Sequence, residues 1–221
     1  MKKSLTTSLL LSAIALGSTV STSALAVEGL SANAAATSNY LWRGQEQTDG
    51  AAAVSGGIDY AASSGFYVGT WASDATWAEG MTYELDIYGG FAGEINESIS
   101  FDVGFIYYAY PDELSGDADF SEVYGSLSFG DLSVGVAVLV DGEGADAGDT
   151  VYVNADYTIA LSNEAEIALH VGSYTGDWLA DDVIDYSASI SKDGFTFGAS
   201  ANDIDDEDVK FFVSYSVDID L

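Results

Sequence analysis

Apolar and polar residues alternate along most of the chain in twelve short stretches, and a period of two is that of a strand with two unlike faces. The last stretch is the cleanest: Val209, Phe211, Val213, Tyr215, Val217, Ile219 and Leu221 are apolar, with Lys210, Ser214, Ser216, Asp218 and Asp220 between them. The first runs from Leu30 to Trp42. It sets Leu30, Ala32, Ala34, Ala36, Tyr40 and Trp42 against Ser31, Asn33, Thr37, Asn39 and Arg43, with Ser38 as its one mismatch. A fourth sets Met81, Tyr83, Leu85, Ile87 and Phe91 against Thr82, Glu84, Asp86 and Tyr88, and a fifth sets Ile99, Phe101, Val103 and Phe105 against Ser100, Asp102 and Gly104. The seventh carries Leu132, Val134, Val136, Val138 and Val140 on one side. Only the third, around Phe66, Val68 and Trp71, leaves its register open, because neither face is strongly polar.

The connectors alternate as well. Short turns such as Ser63-Ser64, Gly130-Asp131 and Lys192 to Gly194 follow the even stretches, while longer links such as Gln45 to Gly50, Asp74 to Gly80, Pro111 to Asp119, Asp141 to Asp149, Thr175 to Asp182 and Asn202 to Asp208 follow the odd ones. That scheme predicts an all-β chain: a transmembrane antiparallel up-and-down β-barrel of about 12 strands, with short periplasmic turns and longer, acidic extracellular loops. A soluble β-sandwich also alternates and is the competing architecture. Aromatic placement favours the barrel, since Tyr40, Trp42, Phe66, Trp71, Phe91, Tyr107, Tyr110 and Phe129 fall near predicted strand ends, where interfacial girdles belong.

Compartment follows from the amino terminus. Lys2 and Lys3 precede an apolar core from Leu9 to Leu16, and Ala24-Leu25-Ala26 is a small-residue cleavage site, so residues 1–26 are expected to be a cleaved signal peptide and 27–221 an outer-membrane barrel domain. Losing the two lysines takes the net charge from −31 to −33. Nucleic acid and anionic surfaces are therefore poor partners, and the expected ones are outer-membrane lipid and small cations or polar solutes. There is no cysteine and a single proline, and the high aromatic content excludes a disordered acidic chain. No cofactor is expected, and the pattern leaves oligomeric state open.

If the apolar face meets lipid, then Asp59, Glu84, Asp86, Asp102, Glu122, Asp156, Glu166, His170 and Asp185 line the pore, opposed by Arg43 near the outer end of the first strand. Carboxylates around a wet tube favour cations and repel anions. Twelve strands about 4.8 Å apart and tilted about 40° give a wall radius of roughly 12 Å, much of it filled by side chains, so the opening is narrow and an inward-folded loop could shut it. The acidic runs Asp141 to Asp149 and Asp203 to Asp208 suggest a calcium site or simply a solvated rim; the first lacks EF-hand spacing because Ala145 stands where an acidic ligand is needed. His170 is the one histidine, but it falls on the polar face between Leu169 and Val171, a placement that disfavours lipid hydrolysis from the bilayer side.

Several segments resemble the TorF family, conserved proteins of the outer-membrane porin type. They are Asn39-Tyr40-Leu41-Trp42-Arg43-Gly44 with Gln47-Thr48-Asp49, Gly56-Gly57-Ile58-Asp59-Tyr60, Ser64 to Ser73, Glu84-Leu85-Asp86-Ile87-Tyr88-Gly89-Gly90, Asp102-Val103-Gly104 with Tyr107 to Pro111, and Glu122-Val123-Tyr124. The resemblance covers about residues 39 to 124 and implies a barrel, an outer-membrane location and passive diffusion of small solutes or ions; it transfers no catalytic or substrate-binding residue. The chain is thus expected to be a non-enzymatic, cation-preferring channel. The alternatives are a non-conducting structural or adhesive barrel presenting acidic loops and, further off, a lipid hydrolase.

Overall fold

A computed structural model describes residues 27–114, 118–176, 182–204 and 208–221. Residues 1–26, predicted as a signal segment, and parts of three long loops, including the middle of the Asp203 to Asp208 run, lie outside the described residues. Among the described residues fourteen strands follow in chain order: β1 (Leu30–Thr37), β2 (Leu41–Trp42), β3 (Gln45–Glu46), β4 (Ala53–Ala61), β5 (Phe66–Asp74), β6 (Tyr83–Asn96), β7 (Ile99–Ala109), β8 (Phe120–Phe129), β9 (Leu132–Gly142), β10 (Thr150–Ala160), β11 (Glu166–Gly176), β12 (Val183–Lys192), β13 (Phe195–Asn202) and β14 (Lys210–Asp220). Twelve of them close into one antiparallel barrel in which each strand pairs with its chain neighbour and β1 pairs with both β4 and β14. The pair β2–β3 stands apart as a small hairpin.

The alternation sorts the side chains as a barrel requires. Val54, Phe197 and Phe211 are 66%, 59% and 77% exposed on the outside, while Glu84, Asp86 and Glu122 are buried inside. A sandwich would invert that arrangement, so the sandwich alternative falls. The third predicted stretch, ambiguous from sequence, resolves with Phe66 and Val68 outward and Tyr67 and Ser73 buried inside.

Three departures from the predicted strands have local causes. The first predicted strand, drawn through to Trp42, ends at Thr37: the mismatched Ser38 is its exit, donating its N–H to the Val213 carbonyl at 2.8 Å while its hydroxyl accepts the Val213 N–H at 3.0 Å. The fourth predicted stretch, drawn to Phe91, runs on as β6 to Asn96 and leaves only Glu97 and Ser98 for the turn, with a register irregularity between Glu94 and Asn96. In β9 a bulge leaves Val140 without a ladder partner and shifts the register between Ser121 and Glu122 of β8, just past Leu139, which the ordinary alternation already places fully buried inside.

The wall is thickened from within by rings lying on glycines. Tyr88 covers Gly69, Tyr67 covers Gly90, Tyr124 covers Gly104, Tyr152 covers Gly172 and Phe212 covers Gly198. A Cβ at position 172 would collide with the Tyr152 hydroxyl and the Asp185 carboxylate. Gly172→Val is therefore expected to cost about 1–3 kcal/mol through overpacking. Heat-modifiable gel mobility of the refolded barrel checks this, with an unfolding temperature equal to that of the parent as the contrary result.

Candidate functional site: a hairpin folded into the lumen

Between β1 and β4 the chain folds into the barrel. Leu41 pairs with Glu46 and Trp42 with Gln45, leaving Arg43 and Gly44 as a two-residue turn at φ 49° and 75°. Positive φ at both central residues marks a type I′ turn, which favours Asn-Gly or Gly-Gly; an arginine at the first position costs about 1–2 kcal/mol of backbone strain. The contacts of the Arg43 side chain offset that cost.

Its guanidinium donates from Nη1 and Nη2 to the two carboxylate oxygens of Glu122 on β8, at 2.8 and 2.7 Å. Cζ lies 4.1 Å from the ring centroid of Trp42, 4.3 Å from that of Tyr152 and 4.6 Å from that of Tyr174. A two-pronged charge-assisted pair under aromatic faces suits the planar, weakly hydrated guanidinium far better than an ammonium. Both partners are nearly out of solvent, with side chains 8% and 2% exposed. Stripping one partner while the hairpin stays in place would leave a buried bare charge, at about 3–5 kcal/mol.

The rest of the hairpin spans the lumen from wall to wall. Trp42 meets Tyr108, Phe120 and Tyr174 edge-on, Asn202 on β13 donates to the Gly44 carbonyl at 2.9 Å, and Tyr40 donates to Glu84 on β6 at 2.9 Å. Its base is tied down by Asn39 donating to Glu46 at 2.6 Å, by a Lys210–Glu46 ion pair at 3.4 Å and by Thr76 N–H donating to the Gln47 carbonyl at 2.7 Å.

All ten predicted lumen residues lie on inward-facing positions or the hairpin, but they do not form one ring. Arg43 arrives from the hairpin tip rather than from a strand end, a correction to its predicted position. Glu84 is sealed between Tyr40 and Tyr110, whose hydroxyl donates at 2.8 Å, and Asp86 is buried beside it with one oxygen lacking a partner. Halfway down, His170 places Nδ1 2.6 Å from Asp156 and Nε2 2.9 Å from Asp185, with the Tyr152 hydroxyl 2.9 Å from Nε2. Below the hairpin Tyr88 donates to Asp59 at 2.5 Å, and Tyr67 donates to Asp102 at 2.7 Å while its oxygen lies 2.5 Å from the Tyr124 hydroxyl. Glu166 is exposed at the short-turn mouth, opposite Ser191.

The aromatic girdle needs correction too. Phe66, Phe91 and Phe129 are exposed outside, but Tyr40, Trp42, Trp71 and Tyr110 belong to the interior: Tyr40 and Trp71 pack edge-on at 5.6 Å, and Tyr110 holds Glu84. Sequence reasoning missed the tyrosines as a class, because on the polar face they read as spacers. The signals that could have found the hairpin were the Ser38 mismatch and the Arg43-Gly44 pair.

At the long-loop mouth, aspartates close the strand ends. Val54 N–H donates to Asp74 at 2.8 Å, Tyr110 N–H to Asp119 at 2.8 Å, Gly176 N–H to Asp182 at 3.2 Å and Ile184 N–H to Asp203 at 2.6 Å. Asp112 accepts from both the N–H and the hydroxyl of Thr82, which holds its carboxyl below the usual range.

A closed antiparallel barrel, apolar outside, with a polar interior crossed by a folded-in loop, is a transmembrane up-and-down β-barrel. The chain belongs to the family described as a bacterial protein of unknown function (Gcw_chp), whose profile matches residues 21–218. Its fold is similar to that of the KdgM porin, at 10% identity and a TM-score of 0.57 over 86% of this chain and 99% of that one. A second similar structure, solved in work on in-meso crystallisation of membrane proteins, has 8% identity and a TM-score of 0.54 over 86% of this chain and 82% of the other. No curated protein matches the chain.

Proposed function

We propose that this protein is an outer-membrane channel of the TorF type, passing small cations or small polar solutes through a narrow lumen that the β2–β3 hairpin obstructs. The observation that carries the reading is the division of faces. Large apolar side chains cover the outside of a closed barrel, an arrangement that fits lipid and not water, while Asp59, Asp102 and Asp156 stand on the inward face below the hairpin. The likeness to the KdgM porin supports the architecture, and the leader sequence supports export. His170 is surrounded by Asp156, Asp185 and Tyr152, a setting for charge balance inside a wall rather than for activating a serine.

Planar-bilayer recording of the refolded protein tests the reading. Small single-channel steps with a cation-selective reversal potential are expected. Asp59→Asn, Asp102→Asn and Asp156→Asn together should lower the cation-to-anion permeability ratio roughly tenfold, since focused carboxylate fields raise local cation concentration by that order. An unmoved reversal potential removes the selectivity assignment. Absence of channel events at every voltage removes the pore and leaves the second reading, for which the wall-to-wall hairpin speaks: a permanently plugged barrel that presents its acidic loops to surfaces or partners.

A further inference from the structure

The contacts around Arg43 are those of a ligand in a binding site. A carboxylate meets the guanidinium edge with both oxygens, and aromatic rings cover its faces. Glu122, Tyr152 and Tyr174 belong to the barrel wall, on β8, β10 and β11, so this half of the site does not depend on the hairpin for its position. The hairpin end of the interaction is the strained one, because Arg43 holds a left-handed backbone that a turn of Asn or Gly would adopt freely.

We propose that Glu122, Tyr152 and Tyr174 form a binding site for small guanidinium-bearing solutes, occupied in this structure by the chain's own Arg43, and that such a solute replaces Arg43 and frees the hairpin to leave the lumen. The inference rests on the channel reading and deepens it by naming a ligand class and a gate. A free guanidinium makes the same two-pronged contact with Glu122 and the same stacking on Tyr152 and Tyr174 without the backbone strain. It competes against a tethered group whose effective concentration is of millimolar order, so opening of the parent protein is expected to be half-maximal at about millimolar ligand. With the Arg43 contacts gone, the hairpin retains Trp42 against Tyr108, Phe120 and Tyr174, Asn202 on the Gly44 carbonyl, Tyr40 on Glu84, and Lys210 and Thr76 at its base. The polar ties are to groups that water can also serve, but the Trp42 ring contacts must be given up as well, which puts half-maximal opening at or above that millimolar figure.

Agmatine is the probe, and 1,4-diaminobutane, which carries ammonium groups alone, is its control. Calorimetric titration of the full refolded chain in detergent micelles measures binding without asking for conductance. In R43A, whose site is vacated, agmatine should bind saturably, at least about tenfold tighter than 1,4-diaminobutane, and the R43A/E122Q pair should lose at least about tenfold of that affinity. R43K serves as a second background if R43A does not give the heat-modifiable folded band, because lysine keeps the charge and gives up the two-pronged contact. No saturable agmatine binding to the folded variant, equal binding of the diamine, or binding indifferent to E122Q overturns the proposal. In bilayers, agmatine should raise the open probability of the parent channel and leave that of R43A unchanged. A barrel that binds agmatine in micelles yet never conducts sinks the channel reading while leaving the site standing, whereas a conducting barrel with no agmatine site does the reverse.

Discussion

Replacing residues 39–51 by an Asn-Gly pair should raise single-channel conductance by about an order of magnitude, because it removes the hairpin that crosses the lumen and leaves the wall in place. Thr37 already faces Ala53 across the β1–β4 ladder, so Ser38 and Ala52 can pair and the two inserted residues close a type I′ turn. No ladder bond between β1 and β4 is lost. The variant should therefore keep the heat-modifiable mobility of the parent, which separates an emptied tube from an unfolded one. It loses the guanidinium partner of Glu122, but that carboxylate then meets water in the widened lumen, so the cost of a buried bare charge does not arise. A folded variant whose conductance equals the parent's would mean that ions take a path the hairpin does not obstruct.

The second large effect is expected on the other face of the wall. Val136 points outward near the middle of β9, and its neighbours across the ladders are Gly125 and Val153. Val136→Arg should destabilise the barrel in lipid by about 2–4 kcal/mol, the cost of a charged side chain near the bilayer midplane. Urea titration in lipid vesicles reads this as a lower unfolding midpoint. Ser126→Arg is the control: it lies one strand away but faces inward beside Asp102, where water and a carboxylate await the new charge, and the parent midpoint should be kept. Equal sensitivity at the two positions would contradict the assignment of faces.

That assignment of faces is the part of the fold most legible in the sequence. In a barrel wall every other side chain meets lipid, so apolar residues recur at period two whatever the interior does, and β10, β12 and β14 carry the pattern almost unbroken. The interior obeys no such rule. It accepts Tyr152 and Phe212 as readily as Asp156 and Ser214, because a ring can lie on a facing glycine, and the pattern alone does not tell an inward tyrosine from an interfacial one. This is why the pattern points Tyr40, Trp42, Trp71 and Tyr110 to a girdle while the fold holds them inside. A bulge is equally hidden: Val138 and Val140 share a parity, yet Val138 pairs with Val123 while Val140 has no ladder partner and the register breaks there. The acidic lumen residues are legible as a set, but their partition is not: His170 between Asp156 and Asp185 follows from the register of β10, β11 and β12, while Arg43–Glu122 and the Tyr40 contact of Glu84 depend on a chain reversal without periodic trace.

One carboxylate at the long-loop mouth carries a consequence for acid tolerance. Asp112, outside the strands, has its carboxyl depressed by the two Thr82 donors, so its contribution is present above the ordinary aspartate range and fades only as the medium is acidified through the lower folded value. Mild souring of the surroundings therefore leaves that turn shaped as it is at neutrality, and loop remodelling there should begin only in strongly acidic conditions.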